Sequence, residues 1–295
     1  MTGRDEVLVS ADWVEARLDE FQSDDPAYRL VEVNSPESPD SEFPSRYSDG
    51  HIPGAIGFQW DDDLSDPVER DVLSKESFEA LCGAHGITED STVVLYGDGW
   101  IPNWFAVFAY WEFKYYGHRD VRVLDGGKDY WVNYDYPLTE DVPEFPSVDY
   151  HARGPFEGIR AYRPAVESAM ESGLPMVDVR SPEEYTGELV APPGLKETAQ
   201  RGGHIPGASN VPVKQNLADD GRFKFDDELR RLYEEHGIDG EESVVTYCRV
   251  GERSSIAWFV LHELLEYEDV TNYDGSWTEW GSVVRAPIET GRADE

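Results

Sequence analysis

The stretch SVVTYCRVGERSSIAWFVLHELL, residues 243–265, predicts a strand, a short loop and a helix in succession. Val244–Tyr247 is a run of β-branched and aromatic residues, which is typical of a buried strand. Apolar residues recur at helical spacing from Ser254 onward, so a helix is expected there. The six residues Cys248–Arg253 form the predicted loop. A thiol therefore lies where a central strand ends and a helix begins, the usual place for a ligand site in an open α/β sheet.

The residues around Cys248 favour a reactive thiolate. Arg249 and Arg253 flank the cysteine in sequence, and the helix that follows would direct its positive end at the sulfur. Both influences lower the pKa of a cysteine thiol from its usual value of about 8.5. Gly251 allows the loop backbone to curl so that successive N–H groups surround the sulfur. The alternative is an inert structural cysteine, because free cysteine is among the most buried residue types.

Composition limits the classes of partner. The chain has 295 residues, enough for two domains with separate cores. Its 61 acidic and 25 basic residues give a net charge of −36, which argues against nucleic acid or an anionic membrane surface as a partner. The acidic excess is spread along the chain and suits a halophilic cytoplasm, where charges are screened over about 3 Å at 1 M salt. The N-terminal run MTGRDEVLVSADW lacks the apolar core of a signal peptide, so a cytoplasmic location is predicted.

An internal repeat predicts the domain organisation. The hexapeptide GHIPGA at residues 50–55 recurs letter for letter at residues 203–208. Three further pairs follow in the same order: LCGAHGI at 81–87 with LYEEHGI at 232–238, VVLY at 93–96 with VVTY at 244–247, and VLDG at 123–126 with NYDG at 272–275. Four matches in one order indicate a duplicated domain.

Each copy alternates short β-branched runs with stretches of helical spacing. This alternation predicts an α/β fold in which each copy forms a mostly parallel sheet with helices on both faces. The proline-bearing, aperiodic segment 141–157 is the predicted linker. The predicted domains are therefore residues 1–140 and residues 158–295.

The loop YCRVGERSS and the repeated HIPGA pieces make the whole chain resemble the tandem-domain rhodaneses, also called thiosulfate sulfurtransferases. In that family a catalytic cysteine heads a six-residue loop in the C-terminal domain and carries sulfur as a persulfide, a role that falls on Cys248. The resemblance implies two tandem rhodanese-like domains and no cofactor. It also implies a substrate-binding role for the residues that follow the cysteine, which are Arg249, Val250, Gly251, Glu252, Arg253 and Ser254.

The loop resembles the form common in prokaryotic thiosulfate sulfurtransferases. Mercaptopyruvate sulfurtransferases usually carry a loop of the type C-G-S-G-V-T, and Arg249 is where this chain departs from them. The departure favours an anionic inorganic sulfur donor, whose oxygens Arg249 and Arg253 would hold. Glu252 would oppose ionisation of the thiol, so we expect it to pair outward with Arg253.

Asp178 and Arg180 follow a predicted strand and correspond to the Asp-x-Arg that lies near the active loop in rhodaneses. Arg180 either contacts the loop or its bound sulfur anion, or it forms a structural ion pair with Asp178, which is then a supporting residue. Some family members carry a second arginine four positions later, where this chain has Glu184. That departure shifts the predicted binding of the donor to the two loop arginines.

Alignment of the two copies at Tyr96 and Tyr247 places Gly97 opposite Cys248. Without sulfur at this position the first copy cannot form a persulfide, so it is predicted to be a non-catalytic partner. His51 and His204 occur in both copies, one of which lacks the thiol, and are therefore predicted to shape turns.

The predicted function is transfer of the sulfane sulfur of thiosulfate, a small anionic donor, to a thiol or cyanide acceptor. The alternatives are 3-mercaptopyruvate as donor, a sulfur-carrier module without turnover, and a cysteine phosphatase. Phosphatase loops have the form C-x5-R, whereas the sixth position after Cys248 is Ser254 and the arginine comes at the fifth. A metal is not expected, because the two cysteines form no C-x-x-C motif and no cluster with histidine.

Overall fold

The computed structural model of the chain describes residues 3–35, 47–192 and 199–291. The chain divides into two compact units. The first unit comprises Thr2–Phe156 with Asp219–Phe223, and the second comprises Glu157–Ala218 with Lys224–Glu295. No helix among the described residues is long and apolar enough to cross a membrane.

The first unit contains a five-stranded sheet in which every pairing is parallel. Its strands are β1 (Leu8–Val9), β2 (Tyr28–Asn34), β3 (Ala55–Gln59), β4 (Thr92–Tyr96) and β5 (Val121–Leu124), in the spatial order β1-β5-β4-β2-β3. Its helices are α1 (Arg4–Val7), α2 (Ala11–Glu15), α3 (Leu18–Phe21), α4 (Trp60–Asp63), α5 (Lys75–Ala84), α6 (Trp104–Tyr115) and α7 (Gly127–Asn133).

The second unit repeats this arrangement. Its strands are β6 (Arg160–Ala161), β7 (Met176–Asp178), β8 (Ser209–Asn210), β9 (Val244–Tyr247) and β10 (Val270–Tyr273), in the order β6-β10-β9-β7-β8 and again all parallel. Its helices are α8 (Arg163–Ser172), α9 (Pro182–Thr186), α10 (Asp226–Glu234), α11 (Glu252–Phe259) and α12 (Ser276–Trp280). Each strand occupies the same place in its sheet as its counterpart in the first unit, as a duplicated domain requires.

The middle strands of the two sheets are buried along their whole length. All five residues of β4 and all four of β9 are buried. Continuous apolar runs of this kind are typical of parallel sheets that are covered on both faces. The core of the second unit includes Val166, Val245 and Trp277. Cys248 is the first residue after the carboxyl end of β9.

The sequence predicted the long strands better than the short ones. The predicted strand Val244–Tyr247 agrees with β9 of the structure. The two-residue edge strands β1 and β6 were not predicted, because two residues cannot show an alternating pattern. Helix α11 begins at Glu252, two residues before the predicted start at Ser254.

Residues 140–156 contain no helix or strand, and two of them donate backbone hydrogen bonds to α5 of the same unit. The Val148 amide donates to the Gly83 carbonyl at 2.9 Å, and the Ala152 amide donates to the Glu79 carboxylate at 2.8 Å. A Cβ at Gly83 would lie 2.5 Å from the Val148 carbonyl oxygen, so glycine permits this close approach. The predicted linker thus runs against α5.

Candidate active site

Cys248 directly follows β9, and its backbone is held by the first residues of α12. The Cys248 amide donates to Ser276 Oγ at 3.0 Å. The Trp277 amide donates to the Cys248 carbonyl at 3.1 Å, and the Thr278 amide donates to the Arg249 carbonyl at 2.9 Å. These three hydrogen bonds fix the start of the loop, and the Cys248 side chain is buried.

The loop turns an amide toward the sulfur. The Gly251 N–H donates to Cys248 Sγ at 3.2 Å. Gly251 has φ +92° and caps the N-terminus of α11, so the thiol lies at the positive end of that helix. A Cβ at Gly251 would lie 2.7 Å from Asp274 Oδ1 and 2.8 Å from the Asp274 Cα, so a residue with a side chain cannot take this conformation without displacing the backbone. Of the N–H groups that the sequence predicted around the sulfur, that of Gly251 donates to it.

The carbonyl of Gly251 is engaged by side chains from other parts of the second unit. Asn272 Nδ2, on β10, donates to it at 3.0 Å. Ser254 Oγ lies 3.0 Å from the same carbonyl oxygen and 2.6 Å from Asn272 Oδ1. These contacts hold the carbonyl side of Gly251, the residue whose N–H group donates to the sulfur. Ser254 was predicted to bind substrate, and the structure shows its hydroxyl supporting the loop.

Arg253 forms a bidentate ion pair with Glu184 on α9. Its Nη1 and Nη2 atoms each donate to a carboxylate oxygen of Glu184 at 3.0 Å, and both side chains are buried. Burial acts to lower the pKa of Arg253, but attraction to Glu184, and then to Cys248 and Glu252, outweighs it and raises that pKa. Burial likewise acts to raise the pKa of Glu184, and Arg253 lowers it overall. The described hydrogen bonds of the Arg253 guanidinium go to Glu184, where the sequence had suggested Glu252 as the partner.

Arg180 lies at the end of β7 and is fully buried. Its Nη2 donates to Asp178 Oδ2 at 2.6 Å and to the Gly203 carbonyl at 2.7 Å, and its Nε donates to Asp178 Oδ1 at 3.0 Å. Its guanidinium carbon lies 4.4 Å from the centre of the Trp277 ring. Of the two roles considered for Arg180, these contacts support the structural ion pair.

The remaining loop residues are nearly enclosed. Val250 and Glu252 are each 2 % exposed, and Arg249 is 8 % exposed. Arg249 and Arg253 both lie close to Cys248 in the chain, but Arg253 points its nitrogens at Glu184.

The equivalent loop of the first unit has no room for a thiol. A Cβ at Gly97 would lie 2.3 Å from the Val33 carbonyl oxygen. The Lys128 amide donates to the Gly97 carbonyl at 3.0 Å, as that of Trp277 does to Cys248. Lys128 Nζ also lies 2.6 Å from Glu32 Oε1 in a buried ion pair. The first copy therefore places its buried cation on α7, where the second copy has Trp277.

The two histidines occupy matching turns. The His51 ring stacks on Tyr47 with centroids 3.9 Å apart, and the His204 ring stacks on Tyr185 with centroids 3.6 Å apart. The backbone amide after each histidine donates to the tyrosine hydroxyl that ends the middle strand, at 3.0 and 3.1 Å. These contacts agree with the structural role predicted for both histidines.

Sequence reasoning missed the residues that hold the loop from a distance, Ser276, Asn272 and Glu184. The match of NYDG at 272–275 to VLDG drew attention to Asn272 only as part of the repeat, and Ser276 lies one residue beyond that match. Ser181 and Glu184 have the S-x-x-E spacing of a capping box, and the structure confirms that box. Within residues 3–35, 47–192 and 199–291, no group of three or more His, Cys, Asp or Glu side chains could hold a metal ion.

A family model described as a Rhodanese-like domain matches residues 10–134 and, a second time, residues 164–282. The chain belongs to the rhodanese family. The double match also confirms the tandem arrangement that the repeat predicted.

Relatives with this double-domain length come from archaea and bacteria. A protein from Haloferax volcanii, provisionally named thiosulfate sulfurtransferase, is 65% identical over 286 residues, 97% of each chain. A protein of the same name from Mycolicibacterium smegmatis is 48% identical over 289 residues, 98% of this chain and 99% of its own. The sulfur carrier protein TtuD from Thermus thermophilus is 48% identical over 291 residues, 97% of each chain.

Solved structures show the same fold. The anaerobic ergothioneine biosynthesis enzyme from Chlorobium limicola, in complex with trimethyl histidine, is 26% identical. It superposes with a TM-score of 0.83 over 97% of this rhodanese-family chain and 71% of its own. A structure of EanB bearing a cysteine persulfide, with ergothioneine, is 25% identical with a TM-score of 0.83 over 99% of this chain and 72% of its own.

Proposed function

We propose that this rhodanese-family chain is a sulfurtransferase that moves the sulfane sulfur of thiosulfate to a thiol or cyanide through a persulfide on Cys248. The observation that carries the proposal is the 3.2 Å hydrogen bond from the Gly251 amide to Cys248 Sγ, in a turn that only glycine fits. An amide aimed at the sulfur from a helix N-terminus stabilises negative charge that develops there during sulfur transfer. The persulfide of a solved relative supports the same chemistry.

The reaction consists of two displacements at sulfur. The Cys248 thiolate attacks the outer sulfur of thiosulfate, the S–S bond of the donor breaks, and its electron pair leaves with sulfite. The new S–S bond makes Cys248 a persulfide, whose charge the loop amides stabilise. The acceptor then attacks the terminal sulfur and the Cys248 thiolate leaves. With cyanide the product is thiocyanate, and no oxidant or reductant is consumed.

Within this proposal, Arg249 is the side chain that binds the oxygens of the donor. A guanidinium suits a dianionic group of this kind. The bidentate pair between Arg253 and Glu184 gives Arg253 a supporting role, in place of the direct contact expected from the sequence. Val250, Gly251 and Glu252 contribute the loop backbone, and Asp178 with Arg180 supports the end of β7.

A sulfur-carrier function is the second candidate, because a relative at 48% identity is named sulfur carrier protein TtuD. A carrier and a sulfurtransferase share the persulfide and differ in the acceptor. A carrier would take up one sulfur per chain and release it slowly to small acceptors. A phosphatase is disfavoured, because two nitrogens of Arg253 are engaged by Glu184.

Initial rates of thiocyanate formation test the proposal. Thiosulfate and 3-mercaptopyruvate are compared as donors at fixed cyanide, for the wild type, Cys248→Ser and the control Cys82→Ala, which removes the buried cysteine of the first unit. We expect turnover with thiosulfate in the wild type and Cys82→Ala, and none in Cys248→Ser. Comparable turnover by Cys248→Ser would refute the mechanism. A preference for 3-mercaptopyruvate would change the donor, and one sulfur bound per chain without turnover would favour the carrier.

A further inference from the structure

Glu184 is a buried carboxylate that the proposed chemistry does not use. Its side chain is 1% exposed and accepts three hydrogen bonds. Arg253 donates to both oxygens at 3.0 Å, and the Ser181 amide donates to Oε2 at 3.1 Å. Burial of a carboxylate is costly, and these three hydrogen bonds offset that cost.

The orientation of Glu184 is set within its own helix. Its amide donates to Ser181 Oγ at 3.2 Å, which closes a capping box at the start of α9. Ser181 follows Arg180, which is itself anchored to Asp178. Contacts at the carboxyl end of β7 therefore hold the Glu184 carboxylate in place, and Arg253 pairs with it there.

Arg253 connects this carboxylate to the thiol. It lies in the first turn of α11, two residues after the amide that donates to Cys248 Sγ. Attraction to a charge on Cys248 is among the influences that raise the pKa of Arg253. An unpaired guanidinium here would stabilise the thiolate further and attract the oxygens of a donor.

We propose that Glu184 is a positioning residue, which fixes Arg253 in the first turn of α11 and offsets its charge, so that the pair acts on Cys248 as a nearly neutral unit. The role of this arrangement rests on the proposed sulfur transfer, in which Arg249 binds the oxygens of the donor. The physical claim concerns the thiol alone and can be tested without a sulfur donor.

Other charged groups face the same region. On the loop and the elements packed against it they are Arg249, Glu252, Asp274 with its partner Arg160, Asp178 with its partner Arg180, and the Tyr247 phenol. In the ion pairs Arg160–Asp274 and Arg180–Asp178, Nη2 of the arginine lies 2.7 and 2.6 Å from Oδ2 of the aspartate. All of these groups stay unchanged in the variants below, so they contribute equally to each.

The test is a double-mutant cycle read out as the pH dependence of Cys248 alkylation by iodoacetamide. Glu184→Gln removes the negative charge, and we expect the midpoint of the profile to fall by about one pH unit, the low end of the range by which a nearby charge shifts a pKa. Arg253→Met removes the positive charge, and the midpoint should rise by a similar amount. The double variant should return close to the wild type, because a nearly neutral pair has been replaced by a neutral one.

The matched control is Glu183→Gln, the same charge change at an exposed position of the same helix, which should leave the midpoint in place. Thermal unfolding of each variant shows that the folded protein is compared. If Glu184 only stabilises the fold, both single variants shift the midpoint in the same direction and the double variant does not recover. That result overturns the proposal.

A kinetic measurement addresses the link to sulfur transfer. In Glu184→Gln the KM for thiosulfate should fall several-fold, because Arg253 adds its charge to the donor site, while kcat falls as the loop loses its anchor. An unchanged KM beside a shifted alkylation midpoint would refute the link and leave the electrostatic claim standing. Absence of thiosulfate turnover in the wild type would refute the proposed function instead.

Discussion

The Gly251 amide donates to Cys248 Sγ at 3.2 Å, and the Cα of Gly251 faces Asp274 so closely that an added Cβ would lie 2.7 Å from the Asp274 carboxylate. Position 251 thus requires both a left-handed backbone, at φ +92°, and the absence of a side chain. The amide can reach the sulfur only while both are met.

Replacement of Gly251 by alanine should therefore abolish the thiolate site. The added methyl group displaces either the loop or Asp274, and we expect alkylation of Cys248 at neutral pH and thiocyanate formation to fall at least about 100-fold, as for loss of one oxyanion-type donor. Gly173→Ala is the matched control, since Gly173 has φ +69° with nothing within 4 Å of an added Cβ. That control should lose about 1 kcal/mol of stability and keep its activity. An active Gly251→Ala variant would contradict the role of the amide.

Arg180 should prove necessary for stability and dispensable for chemistry. Arg180→Met leaves Asp178 buried without its partner, which costs about 3–5 kcal/mol of unfolding free energy. The double variant Asp178→Asn with Arg180→Met should recover part of this loss. Urea unfolding measures both, and kcat per folded molecule should change less than a few-fold, since the described contacts of Arg180 are with the supporting residues Asp178, Gly203, Trp277 and Tyr247.

Arg163→Met provides the comparison for the same substitution on the surface. Arg163 pairs with Glu167 at 3.2 Å with both side chains about two fifths exposed, so its loss should cost less than about 1 kcal/mol. A fall of 100-fold or more in kcat/KM for thiosulfate, with unchanged stability of Arg180→Met, would instead place Arg180 in contact with the donor.

A cysteine introduced at the equivalent position of the first copy should not become a reactive thiol. In Gly97→Cys, made on a Cys248→Ser background, the new Cβ would meet the Val33 carbonyl oxygen at 2.3 Å. We expect loss of stability in the first unit and no reactive thiol at neutral pH. Counting alkylated sulfurs by mass spectrometry measures the outcome, and a gain of thiocyanate formation would show that the first copy retains a functional loop.

The central part of the site could be predicted from the sequence, but the residues that support the loop could not. The position of Cys248 between β9 and α11 could be predicted, because a buried strand, a glycine and a helical pattern are local signals. The partner of Arg253 could not, because Glu184 lies far away in the chain. Glu252 seemed the natural partner as its neighbour, yet adjacent residues of a helix point in directions about 100° apart. Both residues lie in the first turn of α11, and Arg253 donates to Glu184 on α9.

The first copy carries a buried acid, Asp98, at the position of Arg249. Burial is the main cause that raises its pKa to about 7, with Glu32 and Asp129 acting in the same direction and Lys128 opposing them. In the unfolded chain an aspartate titrates near 3.9, so the folded state binds this proton more tightly than the unfolded state does. Above about pH 7 the folded protein must hold a buried carboxylate, and this cost disappears as the pH falls from 7 toward 4.

Asp98→Asn should therefore stabilise the protein in a pH-dependent way. Near pH 8 we expect a gain of about 1–4 kcal/mol in unfolding free energy, because the variant has no charge to bury. Near pH 4 the native aspartate is protonated and neutral, so the variant and the wild type should unfold alike. Urea unfolding at several pH values checks both limits, with the exposed Asp90→Asn as the control that shows no such trend. If Asp98→Asn is instead destabilising at pH 8, the carboxylate must be held there by Lys128, and the first copy would contain a buried charge cluster that stabilises its fold.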